Sequence, residues 1–155
     1  MAKEIERKFL AHPRKWSELG PGKPIRQGYL STVKERTVRA RTVGDKGFLT
    51  IKGVNTGISR DEYEYEIPFK DATEILDNLC EKPLIEKTRY RIPYAGNTWE
   101  VDEFAGVNRG LTTAEIELKD ANQKVEIPDW IDREVSDDPK YFNANLISKP
   151  FTTWR

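Results

Sequence analysis

Acidic and apolar side chains alternate without interruption in Glu62-Tyr63-Glu64-Tyr65-Glu66-Ile67. A period of two residues places successive side chains on opposite faces of a β-strand. This stretch therefore predicts a strand with one carboxylate face and one apolar face. The polar face of an ordinary half-buried strand is a mixture of hydroxyl, amide and charged side chains. The stretch is unusual because its polar face carries a single sign of charge.

Other predicted strands show the same period, and each carries mainly one sign of charge. A solvated face is the ordinary explanation for one such strand, but like charges two residues apart repel each other and a solvated face gains little from sorted signs. We therefore expect a closed or curved sheet with an ionic interior, in which acidic strands hold divalent cations and basic strands bind oxyanions. The acidic sets are Glu4 with Glu6, Glu100 with Asp102, and Glu115 with Glu117; the basic sets are Arg39 with Arg41, Lys52, and Lys87 with Arg89 and Arg91.

Length and composition exclude several classes of protein. The 155 residues predict a single domain over 1–155, and the charge balance of 26 basic against 26 acidic residues argues against a nucleic-acid partner. A single cysteine, Cys80, predicts no internal disulfide and a reducing compartment. Neither a secretion signal nor an apolar run long enough to span a membrane is found, so we expect a cytoplasmic protein without a membrane segment.

Helical signals are few. Asp71-Ala72-Thr73-Glu74 resembles a capping box and predicts a helix beginning there, with Pro139 in the first turn of a second helix and residues 13–19 as a short third piece. Such short helices cannot cover the whole outward apolar face of the predicted sheet. We therefore expect a homodimer contact as well.

The order of the charged motifs resembles a known family. Glu4-Ile5-Glu6-Arg7-Lys8 is an E-x-E-x-K signature, and Arg-x-Arg, Thr-Ile-Lys-Gly, Glu-x-Glu, Lys-Thr-Arg-Tyr, Glu-Val-Asp and Glu-Ile-Glu blocks follow it in order. Together they closely resemble the CYTH superfamily, the triphosphate tunnel metalloenzymes, over nearly the whole chain. The resemblance implies an α+β, mainly antiparallel β fold, with an eight-stranded closed, tunnel-like barrel, a charged interior and a few short helices packed outside. It also implies action on triphosphates with one or two Mg²⁺ or Mn²⁺ ions.

Candidate site residues follow from side-chain chemistry and from the resemblance. Arginine makes bidentate contacts with phosphate and lysine adds a mobile charge, so the basic residues are candidate phosphate ligands. The resemblance implies metal binding by four glutamates, and Lys87 and Asp102 are candidate catalytic residues. Glu62 and Glu64 are expected either to orient the basic residues or to join a metal shell, and Tyr29 to pack or to line the tunnel mouth. The phosphate ligands are Lys8, Arg39, Arg41, Lys52, Lys87 and Arg89; the metal ligands are Glu4, Glu6, Glu115 and Glu117.

The leading functional hypothesis is metal-dependent hydrolysis of inorganic triphosphate to pyrophosphate and phosphate. The same tunnel suits a class IV adenylate cyclase, a thiamine triphosphatase or a nucleoside triphosphatase, although the chain has no His-Phe pair near its start that resembles the cyclase group. A non-catalytic module that binds polyphosphate or nucleotides is the alternative from another class. No chemical role is assigned to Arg91, Glu134 or Trp154.

Overall fold

The computed structural model describes residues 2–154, which form nine β-strands, one α-helix and five short 3-10 helices. The strands are β1 (Lys3–Ala11), β2 (Gly22–Ser31), β3 (Thr37–Val43), β4 (Lys46–Lys52), β5 (Ser59–Ile67), β6 (Ile85–Tyr94), β7 (Asn97–Phe104), β8 (Thr112–Glu117) and β9 (Ile131–Glu134). The α-helix α1 is Phe69–Asn78, and the 3-10 helices are Trp16–Glu18, Gly106–Asn108, Pro139–Tyr141, Asn143–Leu146 and Phe151–Thr153. No helix of residues 2–154 is long and apolar enough to cross a membrane.

Eight of the strands close into an antiparallel barrel. Their order is β5-β4-β3-β2-β6-β7-β8-β1, and pairing of β1 with β5 completes the ring. The eight-stranded closed barrel implied by the family resemblance is thus confirmed. The ninth strand, β9, pairs with β1 beside this seam and was not predicted, because four residues with one buried position carry no alternating pattern.

Two different strands share one edge of β1. Lys3, Glu4 and Ile5 pair with β5, whereas Phe9 and Ala11 pair with β9. Along the opposite edge, β1 pairs with β8 from Glu6 to Leu10. The pairing of β1 with β5 that closes the barrel is therefore short, and β9 pairs with the rest of the same edge of β1.

The interior is ionic over most of its length, as the sorted charges predict. The buried charged residues come from six strands, and they are Glu4, Lys8, Arg39, Lys52, Lys87, Asp102 and Glu115. One end differs, because Tyr29, Ile85 and Phe104 form an apolar cluster with Tyr141 and Leu146 of the C-terminal segment. The segment from Pro139 to Leu146, which we call the C-terminal strap, therefore packs against one end of the barrel interior.

Apolar side chains on the outer faces of the strands pack under loops and under α1. Trp99 and Ile116 belong to a cluster that includes Trp16 and Trp130 from two loops. On the other side, α1 packs against β3 and β4. A Cβ at Gly47 would lie 2.7 Å from the Cβ of Ala72, so glycine permits this close approach of helix and strand.

The predicted start of α1 was wrong. The helix begins at Phe69, Pro68 occupies its N-cap position, and no side chain caps it. The Pro68 carbonyl accepts a hydrogen bond from the Ala72 amide at 3.0 Å, which is the first intrahelical bond expected of an N-cap residue. Asp71 lies in the first turn instead, where its negative charge is favourable at the positive end of the helix dipole.

The outer face of β4 and β5 carries exposed apolar residues. Ile51 is 40% exposed and Tyr63 39% exposed, the two are cross-strand partners, and Tyr65 beside them is 57% exposed.

The homodimer stays a prediction, and this face is its expected contact. The chain is expected to elute with the mass of a dimer in size-exclusion chromatography with light scattering, and Tyr65→Glu with the mass of a monomer. A monomeric wild-type protein at high concentration would contradict the prediction.

Candidate active site

A cavity of about 690 Å³ occupies the barrel interior. All eight barrel strands contribute lining residues, and the C-terminal strap contributes Asn143 at one end. Ligand pockets commonly measure roughly 300–1,000 Å³, so this volume suits a small molecule. The six predicted phosphate ligands and the four predicted metal ligands all line this cavity.

Four of the predicted phosphate ligands lie on two strands that flank β2. Arg39 and Arg41 project from β3, and Lys87 and Arg89 from β6. The alternation of side chains on each strand sends both members of a pair inward. The structure therefore brings these cations onto one part of the cavity wall, where they face a common space.

Crowding of the cations is visible in Arg41. Burial, followed by the positive charges of Arg39 and Arg89, lowers the pKa of Arg41 to about 10. Its terminal nitrogen lies 3.3 Å from Glu64, and the same carboxylate oxygen accepts hydrogen bonds from Arg39 at 3.3 Å and from Thr50 at 2.8 Å. One carboxylate thus serves two arginines, and an anion in the cavity would relieve the repulsion that remains.

The four candidate metal-binding glutamates lie on the adjacent strands β1 and β8. Glu6 is the register partner of Glu117, and Lys8 is that of Glu115. Burial and the nearby charges of Glu115 and Glu4 raise the pKa of Glu6 well above its usual value. Such a shift arises when carboxyl groups compete for one space, and one of them keeps a proton.

The carboxylate pairs of this wall fit a hard divalent cation by their donor chemistry. Glu4, Glu6 and Glu115 lie close enough together for their charges to shift one another's pKa. Mg²⁺ and Mn²⁺ prefer such oxygen donors, and their ligands must be deprotonated. Among residues 2–154, no three acidic, histidine or cysteine side chains stand ready as a complete metal site. Lys52 Nζ lies between Glu4 and Glu62, at 3.1 and 3.3 Å.

Lys87 and Arg89 are both held by Asp102. Lys87 Nζ lies 2.9 Å from Asp102 Oδ2, and Arg89 forms a two-pronged contact with the same carboxylate at 2.7 and 2.8 Å. Asp102 has no exposed surface and lies behind the cavity wall. Burial lowers the pKa of Lys87 to about 7, with a further contribution from the positive charge of Arg89. These effects outweigh the attraction of Asp102, which acts to raise the pKa. Asp102 therefore orients two cations, and Lys87 is a base that can exchange a proton near neutral pH.

Comparison with known proteins identifies the family. A family model described as the CYTH domain matches residues 2–149. The chain belongs to the CYTH family. It is 54% identical over 155 residues to a protein named inorganic triphosphatase from Acetivibrio thermocellus, and the match covers 100% of this chain and 99% of that protein. The resemblance found in the motifs is thus confirmed.

Solved structures show the same CYTH fold. The crystal structure of the inorganic triphosphatase NE1496 is 32% identical, has a TM-score of 0.66, and the match covers 93% of this chain and 97% of that chain. A conserved hypothetical protein from Pyrococcus furiosus has a TM-score of 0.58 at 23% identity, with 77% of this chain and 80% of that chain covered, which shows a common fold.

The supporting residues of this CYTH site lie where they can orient cations. Glu62 contacts Lys52, and Glu64 contacts Arg39 and Arg41. Tyr29 lines the cavity, and its hydroxyl accepts a hydrogen bond from Gln27 Nε2 at 3.1 Å. These contacts favour the orienting role over a metal-binding role for Glu62 and Glu64 in the structure as it stands.

Sequence reasoning missed two residues of this CYTH cavity. Arg60 lines it and lies 3.4 Å from Glu4 Oε1, and its even number puts it in phase with Glu62 and Glu64, so extending the period by one step would have found it. Asn143 Oδ1 accepts a hydrogen bond from Lys87 Nζ at 3.0 Å. It lies on a 3-10 helix outside any alternating pattern, so no periodic signal pointed to it.

The three residues without an assigned role make contacts at the edges of the fold. Arg91 pairs with Glu100 at 3.1 Å at the rim of the cavity, with 61% of its side chain exposed. Glu134 accepts two hydrogen bonds from Arg7 and so joins β9 to β1. Trp154 packs edge-on against Tyr141 and thereby supports the C-terminal strap.

Proposed function

We propose that this protein is a metal-dependent inorganic triphosphatase that hydrolyses tripolyphosphate to pyrophosphate and phosphate. The observation that carries the proposal is the enclosed cavity in which inward cations on β3 and β6 meet inward carboxylates on β1 and β8. A 54% identical relative that matches the full chain is named inorganic triphosphatase. A short, multiply charged anion needs the cations for binding and, if its hydrolysis uses a metal ion, the carboxylates to hold that ion.

The cations of the cavity supply the binding site for the substrate. Arg39 and Arg41 present planar guanidinium groups, which make paired hydrogen bonds with phosphate oxygens. Lys8 and Lys52 add point charges from β1 and β4, and Arg89 adds a guanidinium group already oriented by Asp102. Carboxylates orient Arg39, Arg41, Lys52 and Arg89, so little reorganisation of these side chains is needed when the anion arrives.

Glu4, Glu6, Glu115 and Glu117 are the residues that would hold Mg²⁺ or Mn²⁺. A bound cation supplies charge that neutralises the phosphoryl oxygens and lowers the pKa of a nearby water. Loading of the site would favour the charged forms of Glu6 and Glu117, whose pKa values are raised, because metal ligands must be deprotonated.

Lys87 is proposed as the proton acceptor of the reaction. Water attacks the terminal phosphorus, the bond from that phosphorus to its bridging oxygen breaks, and one proton of the water passes to the neutral Lys87 Nζ. Phosphate and pyrophosphate are the products. The lowered pKa of Lys87, about 7, makes the neutral amine available near physiological pH.

The other hypotheses share the tunnel and differ in substrate. A nucleotide or thiamine triphosphate needs a free aromatic or apolar surface beside the phosphates. The cavity lining includes the aromatic side chains of Tyr29, Phe48 and Phe142, so a direct comparison of substrates is needed to separate these hypotheses. A non-catalytic binding module would bind these anions without releasing phosphate.

A phosphate-release assay separates these functions. Tripolyphosphate, ATP and thiamine triphosphate are compared with Mg²⁺, with Mn²⁺ and with a chelator. The proposal expects the highest kcat/KM for tripolyphosphate, one phosphate for each pyrophosphate, and no turnover in the chelator. Higher kcat/KM for ATP or thiamine triphosphate, cyclic nucleotide as product, or binding without turnover would each select a different hypothesis.

Tripolyphosphate binding is expected to raise the melting temperature of the protein. Ligand at a hundred times its Kd stabilises a folded protein by about 2.7 kcal/mol. For a chain of this size that corresponds to a shift of roughly 5–10 °C. Differential scanning fluorimetry measures the shift, with sodium chloride at equal ionic strength as the control and Arg39→Ala as a variant with a smaller shift. An unchanged melting temperature at millimolar tripolyphosphate would contradict a binding cavity.

A further inference from the structure

Lys87 Nζ has a second protein acceptor in addition to Asp102. Asn143 Oδ1 lies 3.0 Å from Lys87 Nζ, and Asp102 Oδ2 lies 2.9 Å from the same nitrogen. Asn143 belongs to the C-terminal strap, whereas Asp102 belongs to the barrel strand β7. Two separate parts of the fold therefore hold one amine.

The tetrahedral geometry of a lysine nitrogen determines where the remaining position of Lys87 Nζ points. Nζ is tetrahedral, with one position taken by its own side-chain carbon and three left for protons or a lone pair. When two N–H groups donate to fixed acceptors, the third position points elsewhere, and Lys87 lines the cavity. We propose that Asn143 is a positioning residue that, together with Asp102, aims this third position of Lys87 at the substrate. The inference rests on the proposed role of Lys87 as proton acceptor.

The oxygen of the Asn143 amide contacts both Lys87 and Gln27. Gln27 Nε2 donates to Asn143 Oδ1 at 3.0 Å and to the Tyr29 hydroxyl at 3.1 Å, and Gln27 has no exposed surface. An amide turned the other way would place its NH₂ group against two donors. The oxygen faces Lys87, because a lysine ammonium can only donate hydrogen bonds.

The strap that carries Asn143 is fixed on both sides of it. Tyr141 and Leu146 are buried in the apolar cluster at the end of the barrel. Asn145 Nδ2 donates to the Pro139 carbonyl at 2.7 Å, and the Tyr141 carbonyl accepts from Lys8 Nζ at 3.3 Å. The amide of Asn143 is thus held by packing and by hydrogen bonds, as a positioning group requires.

A neutral acceptor at position 143 suits a lysine that must lose its proton. The charged groups that act on Lys87 are Asp102 on β7, Arg89 on β6 and Glu115 on β8. Asn143 adds a hydrogen bond from the strap without adding charge. A carboxylate at this position would favour the ammonium form and remove the base from the neutral pH range.

Three variants test the inference through the pH dependence of kcat for tripolyphosphate. Asn143→Ala is expected to lower kcat roughly tenfold with KM within about twofold, because the base is misdirected while the phosphate ligands remain. Asn143→Asp is expected to move the apparent pKa of kcat upward by about one unit and to recover rate at higher pH. Asn122→Ala, at an exposed position outside the cavity, is the matched control and is expected to retain the wild-type profile.

A second measurement follows the amine itself and needs no turnover. In protein carrying ¹³C-labelled lysine, the Lys87 resonance is titrated by NMR in the wild type and in both Asn143 variants, with melting curves to show that each is folded. Asn143→Asp is expected to raise the pKa of Lys87. If Asn143→Ala keeps wild-type kcat, or if Asn143→Asp leaves the Lys87 titration unchanged, Asn143 does not hold Lys87 and the inference is overturned. Absence of phosphate release by the wild type would instead reject the proposed function, while the titration still decides the contact.

Discussion

Glu4→Gln is expected to lower kcat for tripolyphosphate by more than about a hundredfold, because loss of a metal ligand should exceed the roughly 10–100-fold cost of losing a group that only supports a ligand. Glu4 is buried on β1 beside the Glu6 and Glu115 pair, and Lys52 counteracts the effect of burial so that the pKa of Glu4 lies below its usual value. Glutamine keeps the shape of the side chain but removes its charge and one acceptor oxygen. The loss should therefore fall on metal binding and not on folding.

Titration with Mn²⁺ and Mg²⁺ at saturating tripolyphosphate measures this effect. The variant is expected to need a higher metal concentration for half-maximal rate, with a melting temperature close to that of the wild type. Glu134→Gln is the matched control, because Glu134 is a carboxylate that pairs with Arg7 outside the cavity. It is expected to leave turnover unchanged. Wild-type activity in Glu4→Gln would show that Glu4 is not a metal ligand.

Lys87→Met is expected to lower kcat by roughly 10²–10⁴-fold, the contribution typical of a positioned acid or base. The wild-type rate should rise with pH and level off above about pH 7, where Lys87 loses its proton. In Lys87→Met that rise is expected to disappear. Lys119→Met, at an exposed position, is the control and should keep both the rate and its pH dependence.

The same lysine affects stability with a definite sign. Its pKa falls from 10.5 to about 7 on folding, so the unfolded chain binds more protons between these values. The free energy of unfolding should therefore rise with pH through this range as far as Lys87 contributes to it. Denaturant unfolding of wild type and Lys87→Met at several pH values measures the difference. An identical pH dependence in both proteins would contradict a lowered pKa for Lys87.

Much of the barrel could be predicted because its strands follow a strict period of two. The predicted basic pair Arg39 and Arg41 lies on β3, and the inward direction of Arg39 and Glu64 follows from the same alternation. The sorting of charge by strand was sufficient to predict the ionic interior. A physical rule that depends on local geometry alone was sufficient for these features.

Other features depend on contacts between distant parts of the chain, and the sequence pattern did not predict them. β9 is defined by its pairing with β1, which lies more than a hundred residues earlier. Asn143 reaches Lys87 only because the strap packs against the barrel end. The capping-box prediction at Asp71 failed for a local reason, since Pro68 starts the helix without any side-chain cap.

The joint between β1 and β5 links the folding of the barrel to the assembly of its acidic wall. Glu4 is the register partner of Arg60 within the three residue pairs of this joint. Local opening of the pairing between β1 and β5 must move Glu4 away from Lys52 and Glu62. Opening of the barrel and separation of its carboxylates are therefore coupled. A ligand that contacts several of those carboxylates at once would shift this equilibrium toward the closed barrel. A divalent cation bound by these carboxylates would therefore also stabilise the closed barrel.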